Sequence, residues 1–288
     1  GNTHRAEICM DKFHNASAPN GKTGIIELRA FEAMPTAQLL ANVGLFIRTV
    51  IALLVAKPFR EPMKRFGPDL HDTYFLPSAL FADLAAVCRE LKQAGFAFDP
   101  EWLRPVLDFR FPKLGEMKLE GGSILVRQAL EAWPLMAEDS SGGPTVRMVD
   151  NSTDRIEVSL SDKALLKTGR LLCNGVEVPF TTIGGKPAAG VRYKCASGYP
   201  ALHPHIPVQS PLLFQWVDAK GEVQAAAKYF YWNPHGDVYK GRPKDMAEAK
   251  ARRKERWRNL PARGSVHSAV KPLRSHELRA TLDLRHHA

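Results

Sequence analysis

The sequence predicts an α+β protein: antiparallel strands and helices in the first half, then a β-sandwich-like region, then a basic helical tail. Three observations carry this expectation. Leu39, Val43, Phe46, Val50 and Leu53 recur at helical spacing in an apolar stretch. Seven short β-like runs, separated by turn residues, fill the chain from Thr145 to Trp232. Between Lys240 and Arg258 stand nine Lys or Arg against three Asp or Glu, so six of the ten net positive charges sit in one short piece.

Taken in order, residues 4–11 and 24–31 read as two strands joined by a loop rich in Asn, Pro, Gly and Ser. A long helix follows from Pro35 or Thr36 to about Lys57, where Pro58 and Pro62 break it. A polar loop holds Gly67, Pro68, Asp69, His71 and Asp72. A second helix runs from about Pro77 to Gln93 and stops at Gly95. Asp99-Pro100 opens a short helix, with Asp99 as N-cap. Strand-like pieces follow at Leu107–Phe111 and Ile124–Leu130. The composition change at Glu138–Pro144 places a domain boundary there, giving regions 1–139, 140–234 and 235–288. Asn174-Gly175 is the strongest hairpin signal. A basic helix covers Lys244 to Arg258, and the last thirty residues read as a loose tail.

Apolar residues make up 44% of the chain and charged residues 24%, the balance of a folded globular protein rather than a disordered one. Cys9, Cys88, Cys173 and Cys195 form no C-x-x-C pair, which points to reduced thiols in a cytoplasmic protein rather than a zinc site or disulfide framework. The sequence does not start with Met, and Gly1 leads within a few residues into a charge-bearing strand, so a segment of a longer protein is expected. Residues 37–56 have the length of a membrane span, but Asn42 and Arg48 interrupt them. A central Arg costs about 2.5–3.5 kcal/mol on insertion scales. The stretch therefore reads as a buried amphipathic helix, and no membrane partner is expected.

The candidate chemistry lies on the first two strands. Alternation puts Arg5, Glu7, Cys9 and Asp11 on one face of the first, and Glu27 and Arg29 together on one face of the second, about 7 Å apart by strand rise. If the strands pair, their arginines and glutamates converge. Carboxylates there suit Mg²⁺, and arginines suit phosphate oxygens. The same pattern also describes the solvated face of an ordinary hairpin. Other readings are weaker. His71-Asp72 and His203-Pro204-His205 lack a third metal ligand at a matching spacing. Cys9, with His4 or His14 as base, reads more simply as a buried thiol. The sequence contains no G-x-x-x-x-G-K-[ST] and no G-x-S-x-G.

The stretch Asn2-Thr3-His4-Arg5-Ala6-Glu7, then Gly24-Ile25-Ile26-Glu27-Leu28-Arg29-Ala30-Phe31-Glu32, then an apolar helix, is similar to the end of the catalytic core of glutamine-synthetase-like carboxylate–amine ligases. The resemblance implies Glu27 as a metal ligand, Arg29 as a phosphate or substrate clamp, and Arg5 as a second anion-binding residue. Glu7 has no counterpart in that pattern and stands as a cofactor-side candidate whose role is open. The chain more closely resembles the amidoligase family found with a transglutaminase-like domain in large bacterial proteins. That likeness continues through Leu70-His71-Asp72, Phe98-Asp99-Pro100-Glu101-Trp102, Phe109-Arg110-Phe111-Pro112, Arg127-Gln128-Ala129-Leu130-Glu131, Leu202-His203-Pro204 and the Glu248–Arg253 helix.

In such ligases a substrate carboxylate attacks the γ-phosphate of ATP, and an amine captures the acyl phosphate. The resemblance thus implies ATP and Mg as cofactors and a partial glutamine-synthetase-like core in residues 1–139. The upstream part of that core is the implied partner, and a peptide or small carboxylate and an amine are the implied substrates. The isolated chain is expected not to turn over ATP, and the β-rich region to serve peptide binding or assembly. Two other readings stand beside this one: a non-catalytic peptide- or protein-binding module, and nucleic-acid binding through the basic tail. The second is not favoured, because the positive charge lies on one late helix rather than across a folded face.

Overall fold

The computed structural model describes residues 7–10, 13, 14, 17, 19, 21, 23–139, 146–197, 201–232, 241–273 and 278–287. Helices take 28% and strands 31% of the chain, in separate stretches, which makes it α+β. The chain divides into two compact units after Ala52.

In the first unit β1 (Ile8–Cys9) pairs antiparallel with β2 (Glu27–Leu28), Ile8 opposite Leu28 and Cys9 opposite Glu27. Helix α1 (Ala37–Ala56) begins where the Thr36 hydroxyl accepts a hydrogen bond from the Leu39 amide. The expected stripe is its more covered face, with Val43 buried and Leu39, Phe46, Val50 and Leu53 half-buried. The helix is nevertheless not a buried one, which corrects the expectation. Leu40, Leu45, Ile51 and Leu54 are exposed. The cause lies in its composition: with Arg48 as its one charge the helix is apolar all round, so a single contact face cannot cover it. By length and composition alone, α1 would also suffice to cross a membrane.

The second unit opens with α2 (Asp69–Asp72), within the stretch read as a polar loop, and α3 (Pro77–Gln93). Pro77 fits the first turn of α3, where its missing N–H costs nothing, and Gly95 leaves the helix at φ +90. Asp99 caps the 3-10 turn Pro100–Leu103 by accepting from the Glu101 amide. The segment expected as a strand at Leu107–Phe111 is instead the end of α4 (Arg104–Arg110), with Pro105 seated in its first turn.

Strands β3 (Lys113–Leu119), β4 (Gly122–Gln128), β5 (Leu135–Asp139), β6 (Val146–Val149) and β7 (Thr153–Leu160) come next. They are followed by β8 (Gly169–Cys173), β9 (Val176–Glu177), β10 (Thr181–Ile183), β11 (Lys186–Lys194), β12 (Leu212–Asp218) and β13 (Val223–Tyr229). Asn174 (φ +48) and Gly175 (φ +81) form the two-residue turn between β8 and β9, a conformation that an Asn-Gly pair tolerates well. Helix α5 (Met246–Lys254) is capped by Asp245, and β14 (Trp257–Leu260) and β15 (Thr281–Asp283) complete the chain.

One sheet runs β10-β11-β7-β4-β3, with β15 parallel to β11, and a second runs β14-β13-β12-β8-β9. The pairing of β4 with β7 carries the first sheet across the 139/140 boundary expected from composition. One apolar core joins both sheets: Ile124, Val126, Ile156 and Val158 from the first meet Leu171, Leu212, Phe214 and Tyr229 from the second. Gly115 on β3 admits the Trp257 indole, since a Cβ there would stand 1.9 Å from the ring. The end of the chain is not a loose tail. Thr281, Leu282, Asp283 and Leu284 are buried, because β15 fills an edge of β11.

Candidate functional site

The predicted residues fall on the hairpin of the first unit. Arg5 lies outside the described residues. The Arg29 amide donates to the Glu7 carbonyl at 2.8 Å, which continues the β1–β2 register. Side chains directly opposite in an antiparallel pair share a face, so Glu7, Cys9, Glu27 and Arg29 are co-facial. Arg29 Nη2 pairs with Glu27 Oε2 at 3.1 Å, both side chains partly exposed. Glu7 is exposed and Cys9 is buried. The Mg²⁺ implied by the resemblance needs about six oxygen ligands in near-octahedral order. Among the described residues no three His, Cys, Asp or Glu come together as ligands. Glu27 offers one carboxylate there, with one oxygen on Arg29, so these residues supply only part of a Mg²⁺ shell. Among the described residues neither His71-Asp72 nor His203–His205, whose rings meet edge-on at 6.0 Å, belongs to such a group.

A denser constellation sits in the second unit, on the face of β7 and β11 turned away from the apolar core. Even-numbered residues of β7 (Ile156, Val158, Leu160) enter the core, so Arg155 and Glu157 must take the opposite face. Both are buried. Arg155 stands directly across from Arg192 on β11. Two adjacent guanidiniums repel, so this face holds only if acids surround them. They do. Arg155 donates to the carbonyls of His71 and Asp72 and to the Thr281 hydroxyl. Its Nη2 lies 4.0 Å from Asp72 Oδ1. Arg192 pairs with Glu131, and its Nη1 is 3.9 Å from Asp283 Oδ2. Arg285 grips both oxygens of Asp283, at 2.9 and 2.7 Å. Asp72 Oδ2 in turn accepts from the amides of Arg279 and Ala280, each at 2.9 Å, and so docks the end of the chain. Glu157 accepts from the Ser78 amide (2.9 Å) and hydroxyl (2.7 Å) at the N-terminus of α3, where a carboxylate meets the positive end of the helix.

Burial perturbs these groups in different directions. It pushes the Arg155 guanidinium down to about 10 against the opposing pull of Asp72 and Glu131. Burial raises the Glu131 carboxyl despite its Arg192 partner, and raises Glu157 and Asp154 as well. Asp283 goes the other way: burial pushes it up, but the hydrogen bonds and charge of Arg285, helped by Arg192, hold it below its ordinary range.

Two clefts flank the segment 131–133. One, of about 340 Å³, is bordered by Asp72, Glu131, Trp133, Arg155 and Arg192. The other, of about 610 Å³, is bordered by Arg110, Glu131, Trp133, Tyr231, Trp232 and Arg256. Each has the size of a small-molecule site. Trp133 Nε1 donates to the Thr153 carbonyl at 3.0 Å, which anchors the indole on the ridge between them. Arg256 is held by the Phe230 carbonyl and the Tyr229 hydroxyl. The basic stretch is therefore partly spent on contacts within the fold, and Arg252 likewise pairs with Glu248.

Sequence reasoning missed this cluster. Arg155 and Glu157 alternate with Ile156 and Val158 as they would on a half-solvated strand, and nothing in that pattern reveals that both faces are covered. One legible signal was Gly190, an isolated glycine inside a strand, which marks a close approach.

A family model described as "Putative amidoligase enzyme (DUF2126)" matches residues 1–285. No curated protein and no solved structure matches the chain.

Proposed function

Since the chain belongs to that amidoligase family over nearly its whole length, we propose that it supplies part of the active site of an ATP-dependent carboxylate–amine ligase. In this reading the enzyme forms an amide or peptide bond through an acyl phosphate, and the chain is the C-terminal portion of a glutamine-synthetase-like core working beside a transglutaminase-like domain in the cytoplasm. The likeness of the His4–Glu7 and Glu27–Glu32 stretches to that superfamily supports the finer assignment.

The observation that carries the reading is the co-facial set of Glu7, Glu27 and Arg29 on the β1–β2 hairpin, with Glu27 and Arg29 already in contact. Arg29 would grip phosphate oxygens with its planar fork, and Arg5 would add a second cation. Glu27 would give one carboxylate to Mg²⁺. The remaining ligands would come from elsewhere in the protein, since the described residues assemble no full set. When bound, the metal would neutralise charge on the transferred phosphoryl group.

ADP release by the complete protein tests this. Glu27→Gln and Arg29→Ala should each lower turnover by about 100-fold or more, with an unchanged melting temperature. The 288-residue chain alone should leave ATP intact. Normal turnover in both variants would refute the assignment. A second reading, a peptide-binding module without catalysis, is favoured by the two clefts of the second unit, which need no nucleotide to hold a ligand.

A further inference from the structure

The larger cleft, of about 610 Å³, joins bared aromatic surface to a cation held in place. Trp133 and Trp232 keep 51% and 66% of their surface exposed on its border, and the Tyr231 ring meets Trp232 edge-on at 5.5 Å. Indole is highly buried on average, so two of them open to one cleft form a surface for a planar ring. Arg256 stands on the same border. Its carbonyl accepts from the Phe230 amide at 2.8 Å, its Nε donates to the Phe230 carbonyl at 2.9 Å, and its Nη2 donates to the Tyr229 hydroxyl. The guanidinium carbon lies 5.1 and 5.6 Å from the ring centroids of Tyr229 and Tyr231. A guanidinium carries five N–H donors. Those of Arg256 Nη1 are neither hydrogen-bonded among the described residues nor sealed from solvent, and Arg256 forms no ion pair there.

These features select an anion joined to a ring. A guanidinium already fixed by two hydrogen bonds takes a carboxylate without first losing side-chain freedom. A cationic ligand would meet Arg256 and, on the rim, exposed Arg110. The acids of this border are turned inward. The Glu131 side chain is 4% exposed and pairs with Arg192. Buried Asp154 accepts from Gln128 Nε2 at 2.7 Å and from the Tyr193 hydroxyl at 3.2 Å. Neither leaves a carboxylate open to the cleft, but their charge lies close behind its wall. That background disfavours a run of phosphates and tolerates a single negative charge beside Arg256.

We propose that this cleft binds an aromatic carboxylate, with the carboxylate on Arg256 Nη1 and the ring against the exposed indoles of Trp133 and Trp232. A free aromatic acid and the C-terminal aromatic residue of a peptide share this chemistry. The inference concerns binding alone and adds no chemical step. It needs neither ATP nor the β1–β2 hairpin, so it stands apart from the ligase reading.

N-acetyl-L-phenylalanine is the probe, titrated into the chain without nucleotide and followed by calorimetry or saturation-transfer NMR. N-acetyl-L-phenylalaninamide keeps the ring and loses the charge, and N-acetyl-L-alanine keeps the charge and loses the ring. Each should bind at least about tenfold more weakly than the probe. Arg256→Gln should shrink the gap between the acid and its amide. Trp232→Ala, at an exposed side chain, should shrink the gap between the phenylalanine and alanine compounds with an unchanged melting temperature. The analogue series uses unaltered protein, so misfolding of a variant cannot obscure it. The tripeptide N-acetyl-alanyl-alanyl-phenylalanine separates the two sources: binding as tight as the probe's assigns a peptide C-terminus, and its exclusion assigns a free acid. No binding of the probe at about 10 mM, equal binding of the amide, or displacement of the probe by equimolar ATP overturns the proposal. Glu27→Gln and Arg29→Ala should leave probe binding unchanged, so failure of the ligase reading and failure of this one are told apart.

Discussion

The Arg155 guanidinium lies against the bare α-carbon of Gly190: a Cβ there would stand 2.8 Å from both Nε and Nη2. The glycine is what lets a long cation lie flat between two central strands. Gly190→Ala should push Arg155 off the His71 and Asp72 carbonyls and cost about 1–3 kcal/mol through overpacking. Denaturant unfolding measures it. A variant as stable as the wild type would mean that the missing Cβ does not set the arginine's position.

Acid should act through Asp283. Its folded pKa is held below the ordinary 3.8 by Arg285 and Arg192 against the upward push of burial. A depressed carboxylate stabilises the fold above its unfolded pKa, and that stabilisation disappears as pH falls through the folded value. Asp283→Asn should cost about 3–5 kcal/mol at neutral pH, the toll of breaking one side of a buried pair. It should also flatten the loss of melting temperature below pH 3.8. Parallel acid limbs in variant and wild type would remove Asp283 from the account.

Glu131 has the opposite sign. Burial lifts its folded pKa above the ordinary 4.5 even with Arg192 beside it. Its favourable contribution is complete below 4.5 and is lost as pH rises through the raised value. Glu131→Gln should therefore flatten the stability profile on the side above pH 4.5, where Asp283→Asn leaves it unchanged. Carboxyl carbon shifts followed by NMR should place the titration midpoint of Glu131 above 4.5; a midpoint below it would count against this.

How much of this was legible in the sequence depends on range. Local chemistry was readable: the α3 bounds, the Asp99 cap and the Asn174-Gly175 turn follow from residues within a few positions of each other. So did the hairpin face of Glu27 and Arg29, since period-two alternation needs only the strand itself. Pairings across long stretches of chain were not readable. Arg155 meets Asp72 and Thr281, and no local pattern in Thr153–Leu160 announces either partner. The 139/140 boundary rested on a Gly-Ser-rich stretch, which marks a loop as readily as a linker, and the sheet passes across it through β4 and β7. Leu107–Phe111 reads as a strand because a short run of mixed apolar and charged residues carries no clear period.

Helix α1 offers a surface test. Leu45 and Ile51 are exposed, at 48% and 44%, so replacing both with Gln should change unfolding free energy by no more than about 0.5 kcal/mol per site. A loss of several kcal/mol would reveal that this side of the helix is covered after all.

The end of the chain gives the sharpest contrast between the expected loose tail and a structural strand. Leu282 and Leu284 are buried, and β15 lies along β11 from Gly190 to Arg192. Fully burying two leucines is worth about 1.5–3 kcal/mol each. Removing everything after Leu278 forfeits that burial. It also takes away the Arg279 and Ala280 amides that satisfy Asp72 and the Thr281 hydroxyl that receives Arg155. Two buried charges would lose partners at once, on a face where Arg155 already opposes Arg192. Amide exchange should therefore accelerate along β7 and β11 and not only at the cut edge, with a lowered melting temperature. Should the truncated chain melt where the full one does, with β11 still protected, Asp72 and Arg155 would have to be held by something other than the strand that covers them.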